Sequence, residues 1–287
     1  MLLRVDDAVS SEKTQVIELL FAQRHNSETG ELSQPLVTFD DIVAAIRETG
    51  ASLSTSNPAN FFKDIIRSRN RESVWPDAVF AAGFTATEAI DAPKGCFRFM
   101  PLPPGQATKF PLPFAPPDSA LENPIMLQTL SLPVASKRLG RADETWLTQL
   151  AVRLYLVETH FAHSNPRRLR EITHLQSNIK LRTGEIDSAY EALDEDGNRY
   201  LITCEVKGSA DVIWLPQVLR ASEALLQTDA AIDARGDASA RPIPFAIKAL
   251  GGGLIHTVDF DPDNRIEHGL FPVSQQVFRL SPEVDGI

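Results

Sequence analysis

Nine of the 20 prolines in this 287-residue chain fall between Pro101 and Pro133, in a stretch that reads Pro-Leu-Pro-Pro-Gly and later Pro-Leu-Pro-Phe-Ala-Pro-Pro. Proline fixes its own φ and offers no backbone N–H, so such a run sustains neither a helix interior nor a central strand. The expectation is an extended linker over 104–133 that joins two domains, 1–103 and 134–287. With 43% of its residues apolar, the chain can fill a core without staples. Its two cysteines, Cys96 and Cys204, have no CxxC spacing and no histidine at ligand spacing, so neither a disulfide framework nor a zinc site is expected.

Charge enters early at the N-terminus, at Arg4, Asp6 and Asp7, and no apolar run approaches the ~18 residues of a membrane span. A soluble, cytoplasmic protein is expected. The net charge of −10 argues against non-specific coating of nucleic acid, which depends on summed positive charge. Local sign is different. Lys63, Arg67, Arg69 and Arg71 stand against the single acid Asp64, and two further clusters are Lys137, Arg138 and Arg141, and Arg167, Arg168 and Arg170. Each cluster has an alternative reading as solvated surface.

The first domain reads as three helices and a hairpin. Residues 12–23 carry Val16, Ile17, Leu19, Leu20 and Phe21. Thr38 with Asp41 three residues on opens a second helix that Gly50 ends. A third has Asn57 as cap and Pro58 at the first helical position, with Phe62, Ile65 and Ile66 inward. Ala78–Phe84 and Cys96–Met100 follow as apolar segments around a turn at 91–95. That order is the order of a winged helix, whose third helix commonly enters the major groove of double-stranded DNA. Asn60, Lys63, Arg67 and Arg71 are then the expected DNA contacts. The alternative is a small helical domain for packing or dimerisation.

The second domain opens with a helix over 143–161 and a strand over 169–180. Next come Gly184-Glu-Ile-Asp187, a turn at Asp194-Glu-Asp-Gly-Asn198, and Arg199-Tyr-Leu-Ile-Thr-Cys-Glu205-Val-Lys207. Asp-Gly between strand-like runs signals a hairpin. A three-residue loop with Gly197 left-handed pairs Asp194 with Asn198, and so every pair whose numbers sum to 392. Asp187 then faces Glu205, whereas a two-residue loop would set it opposite Val206 unless a bulge intervened. Lys207 is two residues further and shares its side of the strand. Two facing carboxylates repel, and a divalent cation removes that penalty; paired carboxylates and water are what Mg²⁺ prefers. A lysine beside them suits in-line attack of water on a phosphodiester.

In these segments the chain resembles the PD-(D/E)XK nuclease superfamily of restriction endonucleases, junction resolvases and RecB-type nucleases. Ile186 stands where that pattern has proline. The resemblance spans about 140–260 and implies an α/β, restriction-endonuclease-like mixed sheet flanked by helices. By resemblance, Asp187 and Glu205 would hold Mg²⁺, Lys207 would be the catalytic lysine, and Gln217, near the start of a helix over 214–228, would meet the metal water or the scissile phosphate. A homodimer leaving 5′-phosphate and 3′-hydroxyl ends is implied as well.

The superfamily often adds a glutamate from the preceding helix. Glu144 and Glu158 share a face and lie about 21 Å apart on a continuous helix, so only one can reach the metal. An antiparallel strand between that helix and Asp187 returns the helix N-terminus to the active edge and selects Glu144. His174, Gln176 and His256 have no partner at diagnostic spacing, and Gly251-Gly-Gly253 reads as a turn between strands. The function expected is Mg²⁺-dependent DNA cleavage, as a type II-like restriction or phage-defence endonuclease. Its rivals are a repair or recombination nuclease and a non-enzymatic winged-helix regulator.

Overall fold

The computed structural model describes residues 11–67, 70–89, 92, 94–103, 105–110, 114–139, 141–164, 166–181, 184–229, 241–266 and 269–287. They divide into two compact units, with the boundary between 112 and 113. The protein is mixed α/β: a small antiparallel three-stranded sheet with helices comes first, then a seven-stranded mixed sheet with helices. Among the described residues no helix is long and apolar enough to cross a membrane.

The first unit runs α1 (Glu12–Ala22), β1 (Leu36–Thr38), α2 (Phe39–Thr49), α3 (Asn60–Arg67), α4 (Arg71–Val74), α5 (Asp77–Ala81), β2 (Phe84–Glu88) and β3 (Gly95–Pro101), with sheet order β1-β3-β2. The capping box of α2 forms as its sequence dictates. Thr38 Oγ1 accepts from the Asp41 N–H at 3.2 Å, the Asp41 carboxylate accepts from the Thr38 N–H at 2.8 Å, and Gly50 ends the helix at φ +69°. Phe62 stacks on Phe97, and Trp75 packs edge-on to Phe97 and Phe110, which makes this small core aromatic.

Three details differ from the sequence reading. Helix α3 starts at Asn60, because Asn57 and Pro58 form a tighter entry turn whose carbonyls accept from the Asn60 and Phe61 N–H groups. Ala78–Phe84 is mostly α5, and the first hairpin strand is Phe84–Glu88, where Thr and Ala alternate between β-compatible faces. The turn between the hairpin strands falls partly outside the described residues.

The second unit runs α6 (Asp118–Glu122), β4 (Ile125–Gln128), α7 (Val134–Arg138), α8 (Glu144–Arg153), α9 (Leu156–Ser164), β5 (Arg170–Leu181), β6 (Gly184–Leu193), β7 (Arg199–Lys207), α10 (Leu215–Leu226), β8 (Ile243–Gly251), β9 (Leu254–Ile266) and β10 (Gly269–Ser281). The sheet order is β4-β10-β9-β8-β7-β6-β5. β7 pairs parallel with β8 and β4 parallel with β10; the other ladders are antiparallel. A parallel pair needs a crossover, and α10 lies on the one between β7 and β8. Phe245 and Ile247 of β8 face a core built with Leu147, Leu150, Val157 and Phe161, while Ala246 between them joins Val218 of α10. Both faces are covered, so β8 reads as a continuous apolar run.

Two expectations are corrected here. The 104–133 segment is not a tether throughout, because Ile125–Gln128 find open backbone partners on the outer side of β10 and extend the sheet. Its prolines flank that strand and the short helices instead of interrupting them. The single helix over 143–161 is two helices. Tyr155 breaks it at φ +52°, a conformation that costs a non-glycine residue about 1 kcal/mol or more.

Candidate active site

The β6–β7 hairpin has the register its turn chemistry dictates. Ser188 faces Cys204 and Leu193 faces Arg199. Gly197 takes φ +82°, and the Asp194 carboxylate closes the loop by accepting from the Asp196 and Asn198 N–H groups at 2.9 Å each. Continuing that register sets Asp187 opposite Glu205, and the Asp187 carboxylate accepts from the Val206 N–H at 2.7 Å.

Lys207 sits at the end of β7 with its ammonium between two carboxylates, 2.7 Å from Glu205 Oε1 and 2.9 Å from Glu144 Oε1. Glu205 and Lys207 are both buried, whereas the Glu144 side chain is 44% exposed. Glu144 is the first residue of α8, whose N-cap Asp143 accepts from the Trp146 N–H at 2.7 Å. The helix start is therefore fixed where its acid meets the lysine. Glu158, on α9, is outside this group; it is half-buried, its Oε2 has no hydrogen-bond partner among the described residues, and burial raises its pKa.

Burial, and then the Glu205 carboxylate, push Asp187 up to about 7, against the pull of the Val206 N–H and Lys207. For Lys207 burial works the other way, yet Glu205 and Glu144 outweigh it and hold the pKa above its ordinary value. The lysine is thus a permanent positive charge, suited to stabilising developing negative charge and unsuited to acting as a base.

Among the described residues no group of three His, Cys, Asp or Glu side chains is placed to hold a metal ion. Asp187 and Glu205 supply two carboxylates, the number with which Mg²⁺ is commonly held when substrate and water complete its shell. A cation there would offset the burial of charge and the repulsion from Glu205 that together raise Asp187, so the donor set fits.

Gln217 is half-buried in the first turn of α10 and takes no part in the Glu144–Lys207–Glu205 chain. In the first unit Asn60 is exposed, and the Lys63 ammonium lies 4.0 Å from the buried Glu88 carboxylate. Arg71 corrects the sequence reading. It opens α4 instead of extending α3, is buried, and lays its guanidinium over the Phe110 ring, so it cannot present itself to a partner. The side chain of Arg67 lies outside the described residues, as does Arg69.

Sequence reasoning missed Lys248. It pairs with Lys207 across the parallel β7–β8 ladder and donates to the carbonyls of Gly208, at 3.1 Å, and Asp211. It ties down the loop that leaves the E-x-K strand. Only the non-local β7–β8 pairing brings it there. His160, Asp259 and Ser274 form a second polar group, also invisible in the sequence. Ser274 Oγ donates to Asp259 at 2.6 Å, and both lie against the same His160 nitrogen, Nε2. An activated serine needs base and orienting acid on opposite ring nitrogens, so this group is structural.

Comparison of the chain with protein-family models, with curated proteins and with solved structures finds no match. What the site can do follows from its own residues.

Proposed function

We propose that the second unit hydrolyses DNA phosphodiester bonds with Mg²⁺, on a restriction-endonuclease-like arrangement of sheet and helices. The observation that carries this reading is the buried Lys207 ammonium held between Glu205 and Glu144 beside the Asp187 carboxylate. Mg²⁺ on Asp187 and Glu205 would supply charge neutralisation at the phosphate and a more acidic attacking water. Glu144 and Glu205 fix the Lys207 ammonium, which stabilises charge building on the phosphate oxygens. The buried setting strengthens that interaction relative to water.

The first unit is winged-helix-like in this reading, supported by its α-β-α-α order and by the β1-β3-β2 sheet. Asn60 and Lys63 of α3 would contact double-stranded DNA. One centre cuts one strand, so cutting both favours a homodimer. A type II-like restriction or phage-defence enzyme is the role most in keeping with a separate recognition unit.

The test is incubation with supercoiled plasmid and with phage DNA in Mg²⁺, followed by sequencing of the ends. Ends at one recurring sequence support restriction, and ends at branches or lesions would move the role to repair. Intact DNA in both would overturn the reading.

A further inference from the structure

A cavity of about 340 Å³ is lined by Leu139, Arg141, Asp143, Thr145, Trp146 and Gln149. Asp143 and Thr145 flank Glu144, whose carboxylate meets Lys207 at 2.9 Å, so the lining residues stand next in the chain to the carboxylate–lysine centre. Leu139 is exposed, and the Asp143 carboxylate is occupied in accepting from the Trp146 N–H. Trp146 is half-buried, anchored against the core of the second unit. Arg141, Thr145 and Gln149 are exposed, and Arg141 makes no ion pair among the described residues.

An anchored indole sharing a cavity with a guanidinium that forms no ion pair among the described residues is the combination that receives a base and the phosphate attached to it. Thr145 and Gln149 add hydroxyl and amide groups that suit the edge of a base. The volume is at the small end of ligand sites, enough for one nucleotide and too little for a stretch of duplex. A nucleotide in such a cavity has left the helical stack.

We propose that this cavity receives a single unstacked nucleotide of the DNA strand next to the scissile phosphate, its base against Trp146 and its phosphate at Arg141. The proposal rests on the nuclease reading and adds to it that one nucleotide beside the cut leaves the stack when duplex DNA is bound. A nucleotide that is already unpaired binds without the cost of extrusion, whereas a continuous duplex must meet that cost first.

The test uses the full chain in EDTA, where Mg²⁺-dependent cutting is stopped, and two duplexes that differ only in one bulged 2-aminopurine. The expected result is binding of the bulged duplex about tenfold tighter than the continuous one, with a change in 2-aminopurine fluorescence. Arg141→Ala and Trp146→Ala remove that preference, and Trp146→Phe keeps part of it. Arg141 is exposed, so its variant reports even if a Trp146 variant folds poorly. Equal affinity for the two duplexes, or the same preference in wild type and Arg141→Ala, overturns the cavity assignment. A bulge preference lost in the variants, with no cutting by wild type in Mg²⁺, overturns the nuclease reading and leaves the cavity. Cutting in Mg²⁺ with no bulge preference overturns the cavity alone.

Discussion

Replacing Asp187 by asparagine tests whether the site is a cation site before any DNA is added. The amide side chain of the Asp187→Asn variant can still accept the Val206 N–H but no longer carries the charge that burial and Glu205 oppose. The folded-state pKa of Asp187 is raised, from 3.8 to about 7. This group's contribution to stability is therefore fully present below 3.8 and is lost as pH rises through about 7. About 1.4 kcal/mol per pKa unit puts the ceiling near 4 kcal/mol. Partial exposure and coupling to Glu205 bring the working figure to about 2 kcal/mol, which is roughly 4–8 °C in Tm for a unit of this size. Calorimetry in EDTA, which separates the transitions of two units, should show Asp187→Asn melting higher than wild type above about pH 7, with the gap closing in acid. Adding Mg²⁺ should raise the wild-type transition and leave the variant where it was. Equal melting of the two proteins in EDTA, or an equal Mg²⁺ response, would refute the reasoning.

Glu144→Gln should impair cleavage far more than Glu158→Gln at similar Tm, because only Glu144 bonds Lys207; the reverse ranking in a plasmid assay would take the helix acid out of the site. Lys63→Ala should weaken DNA binding and flatten its log–log salt slope by about one unit if the lysine meets a phosphate, and an unchanged slope would move recognition off α3. Burial lowers the His256 pKa from 6.5 to about 4, so its contribution to stability is complete above 6.5 and lost as pH falls towards 4. His256→Phe, which keeps a ring stacked on Phe114, should show less acid destabilisation over that interval by urea titration, and an identical acid limb would contradict this.

What was legible in the sequence is what local chemistry fixes. Asp194, Gly197 and the period of two along β6 and β7 set the hairpin register without help from the rest of the chain, and that register brought Asp187, Glu205 and Lys207 together. Glu144 was reachable by one step of topology, since β5 runs antiparallel to β6. The helix break at Tyr155 was not legible, because the positive φ sits between two apolar turns, 147–154 and 156–161, that both join one core. Nor was the burial of Arg71, which depends on Phe110, far away in sequence. Lys248 and the pairing of β4 with β10 depend on partners that no local pattern names.

The most direct test of the central claim is Mg²⁺-dependent nicking of supercoiled plasmid by wild type, Glu205→Gln and Lys207→Met, with DNA binding and Tm measured on the same samples. Methionine keeps much of the lysine stem's bulk, and glutamine keeps the shape of Glu205, so both variants should fold and bind DNA. The account expects wild type to convert the plasmid in Mg²⁺ and not in EDTA, and both variants to leave it supercoiled. Nicking by Lys207→Met at the wild-type rate, at matched binding and Tm, would show that the buried Glu144–Lys207–Glu205 chain is structural and that this site does not cut DNA.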